Sequence, residues 1–114
     1  MTETVSLDGR TLVGVENAEQ GEVSSETRFD FEQDGDRIYA RYSGGDIVDG
    51  HLLGTLEANR WEIRYVQLNV DGETASGHSV GTLRILEDGR VRVEDEWEWE
   101  SKDGTGKSAL EEIE

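Results

Sequence analysis

Six turn signals at nearly even spacing constrain what this chain can become. They are QDGD (33–36), SGGD (43–46), EANR (57–60), VDGE (70–73), EDGR (87–90) and SKDGTG (101–106). Asp-Gly and Gly-Gly pairs supply the left-handed backbone positions that tight hairpin loops need. The stretches between them run to roughly 8–12 residues. Several alternate apolar and polar residues with a period of two, as a half-buried strand does: TRFDFEQ (27–33), WEIRYVQLNV (61–70) and VRVEDEWEW (91–99). Helical periodicity is weak throughout. The stretch GVENAEQGEVSSE (14–26) is the least regular and reads as a longer loop or a brief helical turn.

This punctuation predicts eight strands, at 9–17, 26–33, 36–43, 46–56, 60–70, 75–87, 90–101 and 105–113. Consecutive tight hairpins imply a meander. Closing the sheet removes its exposed edges and buries one face of every strand. The expected fold is therefore all-β, an up-and-down antiparallel eight-stranded β-barrel of the lipocalin/streptavidin kind. A two-sheet sandwich or an open curved sheet is the alternative. Closure would pair RTLVGVEN with KSALEEI. At 114 residues the chain fits one domain, with residues 1–8 expected to be flexible.

Charge narrows the setting. Twenty-seven acids face eleven Lys and Arg residues, giving a formal charge of −16. The acids are dispersed from Glu3 to Glu114, so they read as a solvated shell rather than an interaction tail. Such a shell repels itself in dilute buffer. At about 1 M salt the Debye length is only about 3 Å, and the repulsion is largely screened. The composition fits a protein of a high-salt, haloarchaeal cytoplasm. It disfavours nucleic-acid binding, which needs a basic patch. Cysteine is absent, which removes disulfides and thiolate chemistry. No signal peptide and no run long enough to span a membrane is legible, so the expected location is cytoplasmic.

The segment RVEDEWEWESKDG (92–104) mixes the most apolar aromatics with the most polar acids. As a strand it separates them. Trp97 and Trp99 face inward with Asp95, and Glu94, Glu96, Glu98 and Glu100 face water. The same parity places Phe29, Phe31, Ile38, Ala40, Tyr42, Trp61, Ile63, Tyr65, Gln67, Asn69, Leu83, Ile85, Val91 and Val93 inside. An eight-stranded barrel is either filled by side chains or holds one small ligand. The candidate lining is Tyr42, Tyr65, Gln67, Asn69, Asp95, Trp97 and Trp99, suited to a small apolar or aromatic ligand. A buried Asp or Gln needs hydrogen-bond partners, and a ligand or an internal network can supply them.

Other features carry weaker signals. YVQLNV is apolar on both faces, and its Val66 and Leu68 side suggests a homodimer contact or a partly exposed strand. His51 and His78 sit in two G-H-x-x-G stretches (50–54 and 77–81) and are candidate ligand contacts at a barrel rim. Their spacing names no metal site or catalytic set. The glycines around them fit places where bent strands crowd their neighbours. GHSVG matches the nucleophile-elbow pattern, but its strand context lacks the required turn into a helix. A sugar-cleaving pair would need a second acid near Asp95, and Asp49 is the candidate. No catalytic residue, metal or cofactor is assigned.

The stretches SSETRFDFEQDGDRIYARYSGGDIVDGHLLG, WEIRYVQLNVDGETASGHSVGTL and RVEDEWEWESKDGTGKSALEEI carry a resemblance over about residues 8–114. They resemble a small family of bacterial and halophilic archaeal proteins whose members are often labelled N-acetylglutamate synthase. The resemblance implies acetyl transfer from coenzyme A and brings no catalytic residues with it. The residues themselves show no phosphate-cradling loop, and Arg28, Arg41, Arg64 and Arg84 are scattered basic candidates. The leading expectation is a barrel that binds a small molecule, probed by whether Tyr42, Tyr65, Gln67 and Trp97 line one cavity. A homo-oligomeric or structural module is the alternative, and an enzyme using His51, His78 and Asp95 the remote one.

Overall fold

The computed structural model describes residues 4–16 and 21–113. Eight strands follow the predicted punctuation: β1 (Thr11–Glu16), β2 (Arg28–Asp34), β3 (Arg37–Gly44), β4 (Ile47–Glu57), β5 (Arg60–Asn69), β6 (Thr74–Ile85), β7 (Val91–Trp99) and β8 (Thr105–Glu112). Each pairs antiparallel with the next, and the sheet closes into a barrel. Closure joins β1 to β8, with Val13 opposite Glu111 and Gly14 opposite Leu110. These are the two stretches expected to meet. No edge strand remains, so sandwich and open-sheet arrangements are excluded.

Alternation explains the interior. Burial runs in-out along β2, β3, β5 and β7, burying Phe29, Phe31, Ile38, Ala40, Tyr42, Trp61, Ile63, Val91, Val93, Trp97 and Trp99. Register shifts at Gly14/Glu16, Tyr42/Gly44 and Ile47/Asp49 interrupt the alternation elsewhere. The one at Ile47/Asp49 lets Ile47 and Gly50 both face inward and turns Val48 and Asp49 out. Asp49 there pairs with exposed Arg41 at 3.1 Å and cannot join Asp95 as a second internal acid.

The glycines of the two G-H-x-x-G stretches have a common role. Gly50 lies opposite Tyr42, Gly54 opposite Ile63, Gly77 opposite Tyr65 and Gly81 opposite Trp61. A Cβ at Gly50 would stand 2.3 Å from the Tyr42 ring. A bare backbone on one strand thus makes room for a large inward side chain on its neighbour.

The two ends of the barrel differ. At the end formed by the β2–β3, β4–β5 and β6–β7 turns, residues 4–8 carry packing that their sequence did not advertise. Val5 and Leu7 are buried there. Asn59 Oδ1 accepts the Val5 N–H at 2.7 Å and Gln33 Oε1 accepts the Leu7 N–H at 2.8 Å. Leu12, Phe31, Ile38, Leu56, Leu83, Val91 and Val93 belong to the same core. At the opposite end, residues 21–24 have no regular structure, and the opening is narrowed by polar side chains instead. Residues 17–20 of the predicted loop region lie outside the described residues.

Candidate functional site: a cavity between two carboxylates

The half of the barrel away from Val5 and Leu7 is not completely filled. A cavity of about 60 Å³ remains, walled by Phe29, Tyr42, Tyr65, Trp61, Trp97 and Trp99 among others. This is room for roughly four water-sized groups. Its polar lining consists of Asp95 with its serines, Gln67, Glu22, and Tyr42 and Tyr65 with their hydroxyls. Among the described residues, no Lys, Arg or His lines it.

Asp95, on β7, is held from both neighbouring strands. Ser79 Oγ on β6 donates to its Oδ2 at 2.6 Å, and Ser108 Oγ on β8 donates to its Oδ1 at 2.5 Å. Ser79 in turn accepts the Trp61 Nε1–H at 3.0 Å. That acceptance fixes the Ser79 hydroxyl proton on the carboxylate side, so the relay runs Trp61 to Ser79 to Asp95. Hydrogen bonds to a charged group contribute about 1.5–3 kcal/mol each, whereas desolvating a carboxylate costs several kcal/mol. Desolvation prevails: burial raises the Asp95 carboxyl above its ordinary value, and the two serines only partly offset this. An ionised carboxylate has about four acceptor sites, and the serines use one on each oxygen.

A second relay runs across the mouth. Tyr42 Oη donates to Gln67 Oε1 at 2.8 Å, and Gln67 Nε2 donates to Glu22 Oε1 at 2.8 Å. Asn69 Nδ2 donates to Glu22 Oε2 at 2.8 Å. Both relays start at an aromatic and end at a carboxylate. Burial also raises the hydroxyls of Tyr42 and Tyr65, the latter further through the nearby charges of Asp95 and Glu100. Both therefore stay protonated donors at neutral pH. The aromatic wall is itself packed edge to face, with ring centroids 5.7 Å apart for Tyr65–Trp99 and 5.5 Å for Trp97–Trp99.

Of the nine residues read from the sequence as ligand contacts, six line this cavity: Tyr42, Tyr65, Gln67, Asp95, Trp97 and Trp99. Asn69 stands beside it, turned to Glu22. His51 and His78 do not join them. Both point outward, as the parity that puts Gly50 and Gly77 inside requires. His51 Nε2 lies 3.6 Å from Asp49, and His78 lies 3.9–4.0 Å from Glu98 and Glu100 on another part of the outer surface. The two histidines neither reach Asp95 nor share a rim.

Three contributors were missed. Ser79 was weighed only as a nucleophile, yet it sits mid-strand, inward, as a hydrogen-bond link. Its parity with Gly77 and Gly81 was a sufficient signal. Ser108 faces Asp95 across the β7–β8 pairing, legible once β8 is put in register. Glu22 had no signal, because its position depends on how an irregular loop crosses the mouth.

Among the described residues, no group of three or more His, Cys, Asp or Glu side chains could hold a metal ion. Among the described residues, no helix is long and apolar enough to cross a membrane. Searches of the curated proteins and of the solved structures give no significant match. A family profile described as avidin-like protein matches residues 5–113, which takes in the whole barrel, both closing strands and every residue of the cavity. By that match over almost its full length, and by its closed eight-stranded meander, the chain belongs to the avidin-like protein family.

Proposed function

We propose that this protein binds a small molecule inside its barrel. The observation that carries the reading is the cavity of about 60 Å³ left in one half of the interior, where aromatic walls and a few fixed polar groups converge. That combination is typical of small-molecule sites, and the opposite half shows that this chain can fill a barrel when it uses aliphatic residues. The ligand contacts are Tyr42, Tyr65, Gln67, Asp95, Trp97 and Trp99, with Ser79 and Ser108 orienting Asp95. A ligand confined to the present cavity has only a few non-hydrogen atoms. A larger one requires Glu22 to leave the mouth. Acetyl transfer from coenzyme A, implied by the sequence resemblance, draws no support from a cavity whose charged groups are acids. The dispersed negative charge favours a high-salt cytoplasm as its setting.

The test is a thermal-shift and tryptophan-fluorescence screen of small metabolites in molar KCl. Biotin belongs in the screen, because streptavidin holds it in a barrel of this architecture. Saturable binding that is weakened by Trp97→Ala supports the reading. No saturable ligand, together with an interior found packed and dry in a crystal structure, removes it.

A second reading concerns the outside. Tyr39, Leu53 and Val66 are exposed on the adjacent strands β3, β4 and β5, and Leu68 beside them is half-buried. The Val66 and Leu68 side of β5 is the one expected to be a homodimer contact or a partly exposed strand. Sedimentation in molar KCl tests it: a dimer that Val66→Glu dissociates supports the contact, and a monomer at high concentration removes it.

A further inference from the structure

We propose that the ligand of the cavity is a small organic cation, an ammonium or guanidinium head whose N–H groups bond Asp95 and whose body packs on Trp97, Trp99 and Tyr65. The inference rests on the cavity being a ligand site at all. What it adds is the sign of the ligand's charge.

Four observations carry it. First, the charged groups entering the cavity are both acids, Asp95 in its wall and Glu22 at its mouth, and no base lines it among the described residues. Second, among the described residues no Lys, Arg or His forms an ion pair with either acid. Their hydrogen-bond donors are serines on Asp95 and side-chain amides on Glu22. Third, both relays deliver hydrogen atoms to the carboxylates and leave acceptor sites on them. A ligand meets acceptors there, so it must bring donors. Fourth, the remaining wall is aromatic, and aromatic faces attract cations, most of all when the pair is removed from water; Trp99 already draws one, Lys102 Nζ, to 4.7 Å from its ring centroid, and Trp97 and Tyr65 stand beside it. An anion would meet two like charges in a poorly hydrated space. A neutral donor would bond Asp95 but leave its charge without a counterion.

The size follows from the cavity. About 60 Å³ admits a head of roughly four or five non-hydrogen atoms. Methylguanidinium and propylammonium are suitable probes, with N-methylurea as the neutral donor and propionate as the anion. Each is titrated at low millimolar concentration into the wild-type protein in molar KCl, following tryptophan fluorescence. The salt suppresses diffuse attraction of cations to the acidic outer surface.

The expected result is saturable binding of at least one cation, with N-methylurea at least about tenfold weaker and propionate without effect. Asp95→Asn is expected to weaken the cation by about tenfold to a hundredfold, the range for losing a charge-assisted bond. If that variant fails to fold, the wild-type protein still answers. Intermolecular nuclear Overhauser contacts from the methyl group of methylguanidinium must reach the rings of Trp97 and Trp99. Binding of N-methylurea or propionate as tight as the cations overturns the proposal and leaves the cavity reading intact. Cation binding unchanged in Asp95→Asn, or contacts confined to outer-surface residues, also overturns it. No cation binding overturns it too, and the wider metabolite screen then decides separately whether the cavity takes any ligand.

Discussion

The indole of Trp61 lies against Gly81, its direct partner on the neighbouring strand, and a Cβ at Gly81 would stand 2.6 Å from the indole nitrogen. The same nitrogen donates to Ser79, so the glycine also holds the first link of the Asp95 relay in place. Gly81→Ala forces the ring to shift, and overpacking of this kind costs about 1–3 kcal/mol. A urea midpoint lowered by a corresponding amount is the expected outcome. An unchanged midpoint would mean that the ring moves freely and that the pairing of bare backbone with large side chains is not structural.

The β4–β5 hairpin contains a local conflict that can be relieved. Ala58 and Asn59 both have positive φ, 51° and 61°. Asparagine tolerates this and alanine does not. Asn59 is also fixed by its bond to Val5. Ala58→Gly removes the steric penalty while increasing the freedom of the unfolded chain. The net gain is expected to be about 0.5 kcal/mol, seen as a higher thermal midpoint. A lower midpoint would show that the backbone there is not left-handed in solution.

Asp95 gives stability a definite pH dependence. Its carboxyl is raised above the ordinary value by burial, so over part of the acid range the native state holds a proton that the unfolded chain has released. Stability from this group therefore falls as pH rises from about 4 through the raised native value, and then levels. Asp95→Asn lacks that contribution. The difference in unfolding free energy between wild type and Asp95→Asn should decrease with rising pH over this window and then flatten. A difference that stays constant would show that Asp95 is solvated. Taking the difference cancels the other acids, whose mutual repulsion also grows with pH.

Salt is the fourth test. With a formal charge of −16, the folded state is strained by self-repulsion that molar KCl screens. The thermal midpoint is expected to rise steadily with KCl, and with NaCl alike, because screening does not distinguish the two. Indifference to salt would remove the argument for a high-salt setting.

Much of this was legible in the sequence, for identifiable reasons. Asp-Gly turns fixed where strands begin, and period-two alternation then sorted Trp97 and Trp99 from Glu96 and Glu98. Closure followed from strand count and the absence of a tolerable edge. Parity also placed Asp95 beside the tryptophans, though not what it touches: Ser79 and Ser108 come from strands 16 and 13 residues away. The histidines misled because their glycine neighbours looked like rim turns. Those glycines are inward positions in mid-strand, which sends His51 and His78 outward. Glu22 was beyond reach, because no periodicity governs an irregular loop. Val5 and Leu7 looked like a free terminus because two apolar residues among polar ones carry little signal without the barrel end they cover.

The central claim is that the aromatic half of the barrel receives a ligand. The most direct measurement follows the indole N–H resonances of Trp61, Trp97 and Trp99 by two-dimensional NMR while the small-molecule screen is titrated in molar KCl. The account predicts saturable shifts in these resonances, shared by backbone amides of Ser79, Asp95 and Ser108, with the amides of Tyr39, Leu53 and Val66 unmoved. Shifts confined to the outer strands, or indole resonances that no compound moves, would contradict it.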